Sequence, residues 1–339
     1  MTSLRITFWG VQGSIPVSLP NHSGDTTCVE VETSEGNIFI FDAGSGIRRL
    51  SLSIVDRWQS RPQKDRNLHI FGSHEHLDHR IGLTFSRFCY VEDNPFTLHL
   101  YGSFQFLHAL DQHYGIFSRQ ISDLTYLDDP VDYTMMSANF TATELATAGS
   151  GTPARHPSRR ASDQLKRFWP TRDLSPIRIG RTTIEPFEVY HVIPCCLGYK
   201  IDHDGKTFIF ATDHELRRGP AGAKNERQSR SDAAEATLRR LSQNADLAYV
   251  DGQYFLDEYL GKKGIGSFPP MPRLDWGHSC IEDVITRAQH CNVKRTRLGH
   301  HDPDRDWDQR QRINEELSQL SAGKPNQIQL ADADLIVEL

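Results

Sequence analysis

No stretch of this sequence is apolar for long enough to cross a membrane. A spanning helix needs about 20 consecutive apolar residues, and no run here approaches that length. A strand is predicted almost at the amino terminus, over Leu4–Trp9, which leaves no room there for a charged and then apolar secretion signal. We therefore expect a soluble, cytoplasmic protein with no membrane partner.

Cysteine is scarce, and the six cysteines of this 339-residue chain show no Cys-x-x-Cys spacing. This content indicates reduced, mostly buried thiols rather than a disulfide framework. The cysteines are Cys28, Cys89, Cys195, Cys196, Cys280 and Cys291.

Positive charge is also in short supply, because 38 Lys and Arg stand against 44 Asp and Glu, for a formal net charge of -6. A protein that coats nucleic acid would be basic. Two segments, 155–181 and 217–230, are nonetheless locally basic and contain many Ser, Pro and Gly residues, which predicts mobile surface loops. They are either solvated charge runs or part of a binding site for an anionic substrate.

Histidine, in contrast, is plentiful, and it is concentrated in the segment His74–His79 (His-Glu-His-Leu-Asp-His). The segment directly follows the apolar run Leu68–Phe71, so a predicted strand ends in a turn dense with metal ligands. His74 and His76 project to one side, while Asp78 and His79 reach another, which favours two adjacent metal ions over one. The alternative, a polar loop in a histidine-rich protein, is disfavoured by this spacing.

Further candidate ligands follow other predicted strands. His191 comes after an apolar run ending at Tyr190, Asp213 after Phe208–Thr212, and His300 after a run ending at Gly299. A single such residue is more often a turn or cap residue. Three in succession after His74–His79 predict additional metal ligands.

The predicted elements favour one layered α/β domain over separate modules. The segments 104–113 and 118–127 fit either helix or loop. A helix is predicted over Asp232–Ser242 with Ser231 as its cap, followed by others over Ile281–His290 and Trp307–Leu320, and a final strand over Gln327–Val337. The other predicted strands are Leu4–Trp9, Cys28–Val31 paired with Asn37–Phe41, Leu68–Phe71, Thr97–Tyr101, Ile177–Ile179, Thr183–Val189, Leu197–Ile201, Thr207–Ala211, Leu247–Val250 and Arg295–Leu298.

Several motifs extend a family resemblance over nearly the whole chain. They lie at 8–16, 25–28, 42–46, 74–79, 198–200, 212–213, 251–254, 276–279 and 300–303. The chain resembles metallo-β-lactamase-fold hydrolases, and within them the ribonuclease Z and cyclic-nucleotide phosphodiesterase branch. The resemblance implies an αβ/βα four-layer sandwich, a single domain over 1–339 with a basic, mobile insertion at about 150–180, and a homodimer.

The same resemblance assigns roles to the candidate ligands. It implies two divalent metal ions, zinc in the first place with manganese as the alternative, and Asp42 as the residue that orients the ligand loop. His74, His76 and His191 would hold the first ion, Asp78, His79 and His300 the second, and Asp213 would bridge them.

The chain departs from the family pattern in two places. Gln12 and Asp25 stand where the family has arginine and asparagine. His191 is followed by Val-Ile-Pro-Cys-Cys rather than by the usual His-Pro pair, so Cys195 or Cys196 is an alternative thiolate ligand, although a buried structural cysteine is commoner.

The motif Trp276–Ser279 supplies a histidine that the metals do not need. His278 is a candidate general acid that protonates a leaving alkoxide, and the resemblance places Asp251 beside it as a partner; the catalytic set is then His278, Asp251 and Asp78. The alternative is that this motif is only the N-cap turn of the helix Ile281–His290.

The function predicted from these residues is a dinuclear metal phosphodiesterase. Two divalent ions can supply hydroxide at neutral pH and neutralise phosphate oxygens, and the substrate would be a small anionic phosphodiester, above all a cyclic nucleotide. Phe168 or Trp169 could stack on a base. One alternative is a tRNA 3′-end endonuclease, although no glycine-rich basic arm is evident. Another is a non-catalytic metal-binding ligand sensor of the same fold.

Overall fold

The strands of the chain form two sheets in a computed structural model that describes residues 3–20, 22–116, 136–147, 169–219 and 225–339. The strands are β1 (Leu4–Gly10), β2 (Cys28–Thr33), β3 (Ile38–Phe41), β4 (Asn67–Phe71), β5 (Thr97–Gly102), β6 (Asn139–Leu145), β7 (Thr171–Arg172), β8 (Ile177–Ile179), β9 (Thr182–Val189), β10 (Cys196–His203), β11 (Lys206–Ala211), β12 (Leu247–Asp251), β13 (Arg295–Gly299), β14 (Gln327–Leu330) and β15 (Ile336–Glu338). The first sheet has the order β15-β1-β2-β3-β4-β5-β6-β7, and the second has the order β14-β13-β12-β11-β10-β9-β8.

Helices flank both sheets in the described residues. They are α1 (Ile47–Arg57), α2 (Phe104–Tyr114), α3 (Glu226–Leu241), α4 (Leu256–Tyr259), α5 (Ile281–His290) and α6 (Trp307–Ser321). The segment 104–113, which the sequence left open between helix and loop, is therefore helical, while 118–127 lies outside the described residues. Within the described part of the chain, no helix combines the length and the apolar character needed to span a membrane.

Three apolar clusters stack the sheets and helices into four layers. Between the sheets, alternate residues of the inner strands meet, with the rings of Phe41 and Tyr199 5.5 Å apart. On the outer face of the first sheet, α1 packs through Leu50 against β3 and β4. On the outer face of the second sheet, Leu238 of α3 and Val284 of α5 pack against β11 and β12. Each such side chain contributes about 1.5–3 kcal/mol when fully buried. The predicted αβ/βα four-layer sandwich is confirmed.

Strand direction brings many loops to one edge of this sandwich. In the first sheet, β3, β4 and β5 are parallel, with Phe41 opposite Phe71. In the second sheet, β11, β12 and β13 are parallel, with Val250 opposite Leu298. The segments that leave the carboxyl ends of neighbouring parallel strands emerge side by side. A backbone bond from Leu197 N–H to the Ser73 carbonyl (2.9 Å) then ties the two sheets together beside these segments.

The predicted strand over Gln327–Val337 is wrong, because the structure divides it between the sheets. β14 pairs with β13 in the second sheet, and β15 pairs with β1 in the first. Between them, the Leu335 carbonyl accepts from Phe8 N–H, and Asp334 has a φ of 69°. The chain crosses from one sheet to the other at this point, so a continuous strand is impossible.

The predicted start of the third helix is also wrong. α3 begins at Glu226, six residues before the predicted start, and its cap is Asn225, whose side chain accepts from Gln228 N–H at 3.0 Å. Ser231 lies inside the helix, where its hydroxyl donates to the Glu215 carbonyl and accepts from Arg217 N–H. The first turns of α3 are polar because they cover a loop rather than the apolar sheet.

Candidate metal centre

The first part of the site, which we call the proximal region (Asp42 and Ser73–His79), is built on the ends of β3 and β4. Asp42 is buried and accepts from the backbone N–H and the hydroxyl of Ser73, at 2.7 and 2.8 Å. It also lies 2.7 Å from Nδ1 of His79. This contact holds the proton on Nδ1 and turns Nε2 toward the site, which is the orientation that a metal ligand requires.

The second part, the distal region (His191, Asp213, His278 and His300), comes from the second sheet. His191 follows β9, Asp213 follows β11, and His300 follows β13. Nδ1 of His191 donates to the Gly277 carbonyl at 3.0 Å, which fixes its ring. Its Nε2 then lies 3.3 Å from Nδ1 of His76, a residue of the proximal region.

The two regions meet in three clusters of potential metal ligands. Within each cluster of the described residues, the ligand atoms all lie within 4.8 Å of one another. The clusters are His74, His76, His191 and Asp213; Asp78, His79 and His300; and Asp213, His278 and His300. The structure therefore brings all seven predicted ligands together, with Asp213 between the two predicted triads. The carboxylate of Asp213 lies 3.5 Å from Nε2 of His74 and of His79, and 3.3 Å from Nε2 of His300.

Three site residues have strained backbone conformations. Each of them comes within two residues of the end of a strand. The φ angle is 61° at Asp42, 52° at Asp213 and 53° at His300. Non-glycine residues rarely occupy this left-handed region, and each instance costs about 1–3 kcal/mol. The strain turns each side chain sharply off its strand and into the site.

The protonation states of the ligands suit cation binding. Burial lowers the pKa of His74 and His76, and it lowers the pKa of His191 to about 4, so these rings are neutral donors at pH 7. Burial would raise the pKa of Asp213, but the neighbouring His300 and His79 outweigh it and hold this pKa well below its ordinary value. Burial would lower the pKa of His79 and His300, but the neighbouring carboxylates of Asp78 and Asp213 outweigh it and raise both. A divalent ion would take the place of these protons among the carboxylate and imidazole donors.

Unpartnered atoms in the site test whether a metal fits. Nε2 of His74 and Nε2 of His79 are buried without a hydrogen-bond partner, although both rings are completely enclosed. Most buried polar atoms in proteins are satisfied. Other buried atoms of the described residues also have no partner, but these two nitrogens each lie 3.5 Å from Oδ2 of Asp213, within the clusters. The His/Asp cluster suits a dinuclear metal site.

Asp78 is held by the amino-terminal part of the chain. Its Oδ2 accepts from Ser14 N–H at 2.8 Å and lies 3.2 Å from Nε2 of both His79 and His300. Gly13 is required at this point, because a Cβ there would lie 2.4 Å from the His300 ring. The motif around Gly13 and Ser14 was visible in the sequence, but its contact with Asp78 was not.

His278, which belongs to the third cluster, has a partner of its own outside the clusters. Its Nδ1 is 3.1 Å from Oδ2 of Asp251, at the end of β12. Asp251 also accepts from Ser279 N–H at 3.3 Å, so it fixes both the ring and the turn that carries it. The ring stacks on that of His300 with centroids 4.6 Å apart. The helix that follows is capped by Cys280 without a side-chain bond, so His278 is not simply the cap residue.

The predicted role of Trp169 in stacking on a base is wrong. Its ring is buried against Phe104, and its indole N–H points to Glu144 at 3.3 Å, so it belongs to the core on the outer face of the first sheet. Phe168 and most of the basic segment 155–181 lie outside the described residues. The prediction was based on aromatic residues interleaved with basic ones, a pattern that contains no information on burial.

The described residues of the predicted mobile basic loop at 217–230 are held by ion pairs. Arg217 is buried and pairs with Asp275 at 2.7 Å, while Arg218 pairs with Asp283. Arg227 also reaches Asp275, at 3.1 Å. These guanidinium groups are already neutralised by carboxylates.

The alternative cysteine ligands do not enter the clusters. Cys195 and Cys196 are buried, burial raises the pKa of both thiols, and the thiol of Cys196 points to the Ile193 carbonyl. The two departures from the family pattern have structural partners instead. Gln12 bonds Arg310 and the His301 carbonyl, and Asp25 pairs with Arg49.

Comparison with known proteins identifies the fold. No protein-family model and no curated protein matches the chain. Among solved structures, it is similar to unliganded yeast PDE1 (15% identity, 100% of both chains, TM-score 0.61). It is also similar to a diphosphatase of the PhnP family (16% identity, 99% of this chain and 98% of that one, TM-score 0.59). A third is the metallo-β-lactamase fold protein YhfI from Bacillus subtilis (14% identity, 99% of each chain, TM-score 0.55).

The two-sheet sandwich and these similarities define the chain as a metallo-β-lactamase-fold protein. At these identities the likeness establishes the fold alone.

Proposed function

We propose that this protein is a dinuclear metal-dependent phosphodiesterase that hydrolyses a small phosphodiester, above all a cyclic nucleotide. His74, His76 and His191 would hold one ion, Asp78, His79 and His300 the other, with Asp213 between them. When bound, two divalent ions lower the pKa of a coordinated water toward neutrality and withdraw charge from phosphoryl oxygens. The imidazole and carboxylate donors suit zinc, with manganese as the alternative.

The pairing of His278 with Asp251 carries the proposal. With Nδ1 bonded to Asp251, the other nitrogen of the ring is the one that can deliver a proton. A phosphodiester with an alkoxide leaving group needs such a proton as its P–O bond breaks. Stacking against His300 fixes this acid directly beside the predicted ligands. A diphosphatase among the similar structures supports phosphate chemistry on this fold.

The charges around the site favour a small substrate. Arg217, Arg218 and Arg227 are paired with acids and cannot form a free basic track for a polynucleotide.

The exposed aromatic side chain nearest to His278 in the sequence is Trp276, which is 42% exposed. Its ring packs over the guanidinium of the buried Arg273 at 4.7 Å. A base or aryl group could stack on the exposed part of the Trp276 ring, away from Arg273.

The test is turnover of a substrate panel by the zinc-loaded and manganese-loaded protein. The panel contains bis-p-nitrophenyl phosphate, 3′,5′- and 2′,3′-cyclic nucleotides, a precursor tRNA, a lactone and a thioester. We expect cleavage of phosphodiesters, and of cyclic nucleotides in particular. Cleavage of the lactone or thioester alone would refute the proposal, and salt-sensitive binding and cleavage of the tRNA would replace it with the endonuclease.

A further inference from the structure

Glu215 is a buried carboxylate for which the sequence pattern predicts no role. It lies two residues after Asp213 and is fully buried. Burial raises the pKa of this carboxyl group, although hydrogen bonds from Tyr259 and two backbone N–H groups oppose the shift. A carboxyl group in such a place is costly unless donors surround it.

The donors around Glu215 belong mainly to one backbone segment. Oε1 accepts from Asp275 N–H at 3.0 Å and from the Tyr259 hydroxyl at 2.5 Å. Oε2 accepts from Gly277 N–H at 2.8 Å. One carboxylate therefore holds two amides of the three-residue segment Asp275–Gly277. Because Arg217 binds the Asp275 side chain, the segment is anchored through its side chain as well.

This segment adjoins two residues of the distal region, His191 and His278. The Gly277 carbonyl accepts from Nδ1 of His191 at 3.0 Å, so it determines which nitrogen of that ring faces the cluster. Gly277 has a φ of 89°, and a Cβ there would lie 1.7 Å from the same Nδ1, so the ring rests directly on the segment. The next residue is His278. A shift of the segment would move the predicted ligand and the proposed acid together.

We propose that Glu215 is a positioning residue that couples the orientation of His191 to that of His278. The part concerning His278 rests on the proposed function, whereas the part concerning His191 depends only on metal binding. Glutamine has nearly the same shape but cannot replace the carboxylate, because its NH₂ group would face a backbone N–H donor. Glu215→Gln should therefore release the segment without removing its bulk.

The experiment compares Glu215→Gln with a matched control, Tyr259→Phe. The control removes the one donor to this carboxylate that lies outside the segment. The first measurement is zinc affinity, by competition with a chromophoric chelator, and it requires no turnover. We expect Glu215→Gln to weaken zinc binding about 10–100-fold, as for other residues that orient a ligand, and Tyr259→Phe to change it little.

The second measurement is kcat and KM on two phosphodiesters, one with a p-nitrophenolate and one with an alkoxide leaving group. Only the alkoxide depends strongly on a proton from His278. With both proteins saturated with zinc, we expect Glu215→Gln to lower kcat more for the alkoxide substrate than for the other, with KM nearly unchanged. A general loss of stability would lower both rates equally.

Wild-type zinc affinity in Glu215→Gln would overturn the proposal. Weakened zinc binding with equal kcat losses on the two substrates would also overturn it, since His191 alone would then be affected. If the wild-type protein cleaves neither substrate, the proposed function fails, and the zinc measurement still decides whether Glu215 positions His191. Should Glu215→Gln not fold, Glu215→Asp retains the charge with a shorter reach and is measured in the same two ways.

Discussion

The proximal and distal regions of the site orient their side chains by different means. In the proximal region, the buried carboxylate of Asp42 contacts the ring of a predicted ligand, His79, directly. In the distal region, the buried carboxylate of Glu215 contacts backbone amides, and the peptide of Gly277 passes the effect to His191. Ligands close together in the sequence can share one side-chain partner: the Ser73 hydroxyl, itself bonded to Asp42, lies 3.0 Å from Nδ1 of His74 and 3.3 Å from Nδ1 of His79. His191, which arrives from a separate strand, is aligned by a segment of backbone instead.

The largest predicted effect is at His278, the residue of the distal region that would act as a general acid rather than as a metal ligand. His278→Ala should lower kcat on an alkoxide phosphodiester about 10²–10⁴-fold, as expected for loss of a general acid, while zinc content stays at the wild-type level. The measurements are steady-state kinetics and elemental analysis. The matched control is His290→Ala, an exposed histidine in the last turn of α5. Loss of zinc in His278→Ala would make this residue a ligand instead.

The direct contact in the proximal region should make Asp42 important for both metal affinity and stability. Asp42→Ala should weaken zinc binding about 10–100-fold. It should also lower the free energy of unfolding, because each buried donor left without its acceptor, Ser73 N–H and His79 Nδ1, costs about 1–3 kcal/mol. Chelator competition and denaturant unfolding measure the two effects. Unchanged zinc affinity would mean that Asp42 does not orient His79 for metal binding, and its comparison with Glu215 would then be wrong.

The backbone contact in the distal region can be tested with a pair of glycines. Gly277→Ala and Gly205→Ala both place a Cβ at positive φ, 89° and 76°, but only the former meets another group, the His191 ring. The shared backbone strain costs about 1–3 kcal/mol. Gly277→Ala should lower the free energy of unfolding further than Gly205→Ala and should also weaken zinc binding. Equal effects of the two substitutions would mean that the segment is free to move away from His191.

The smallest predicted effect concerns the rim of the distal region. Trp276→Ala should raise KM about fivefold for thymidine 5′-p-nitrophenyl phosphate, which corresponds to the low end of stacking energies. The same variant should leave KM for methyl p-nitrophenyl phosphate unchanged, because that substrate has the same leaving group without the nucleoside. Leu320→Ala removes an exposed apolar side chain elsewhere, at 48% exposure, and serves as the control. Equal changes for both substrates would show that Trp276 does not contact the base.

Errors in the sequence-based predictions fall where a residue has a distant partner. The sequence pattern predicts Trp169 as a base-stacking residue, yet its ring packs against Phe104 and its indole N–H faces Glu144. Ser231 has the chemistry of a helix cap, yet the loop at Glu215 uses its hydroxyl. Composition and local spacing contain no information on such contacts. The predicted homodimer and cytoplasmic location stay predictions.

The sequence by itself determined the donor chemistry of the site and most of its elements. His74–His79 is a local cluster, and His191, Asp213 and His300 follow apolar runs, so periodicity and residue type were enough to predict them. Only the tertiary structure decided that Ser14 holds Asp78 and that Glu215 holds the segment before His278. These bonds join residues more than sixty positions apart. They form because the strand order of each sheet brings strand ends that are distant in the sequence to one edge, and no local pattern encodes that pairing.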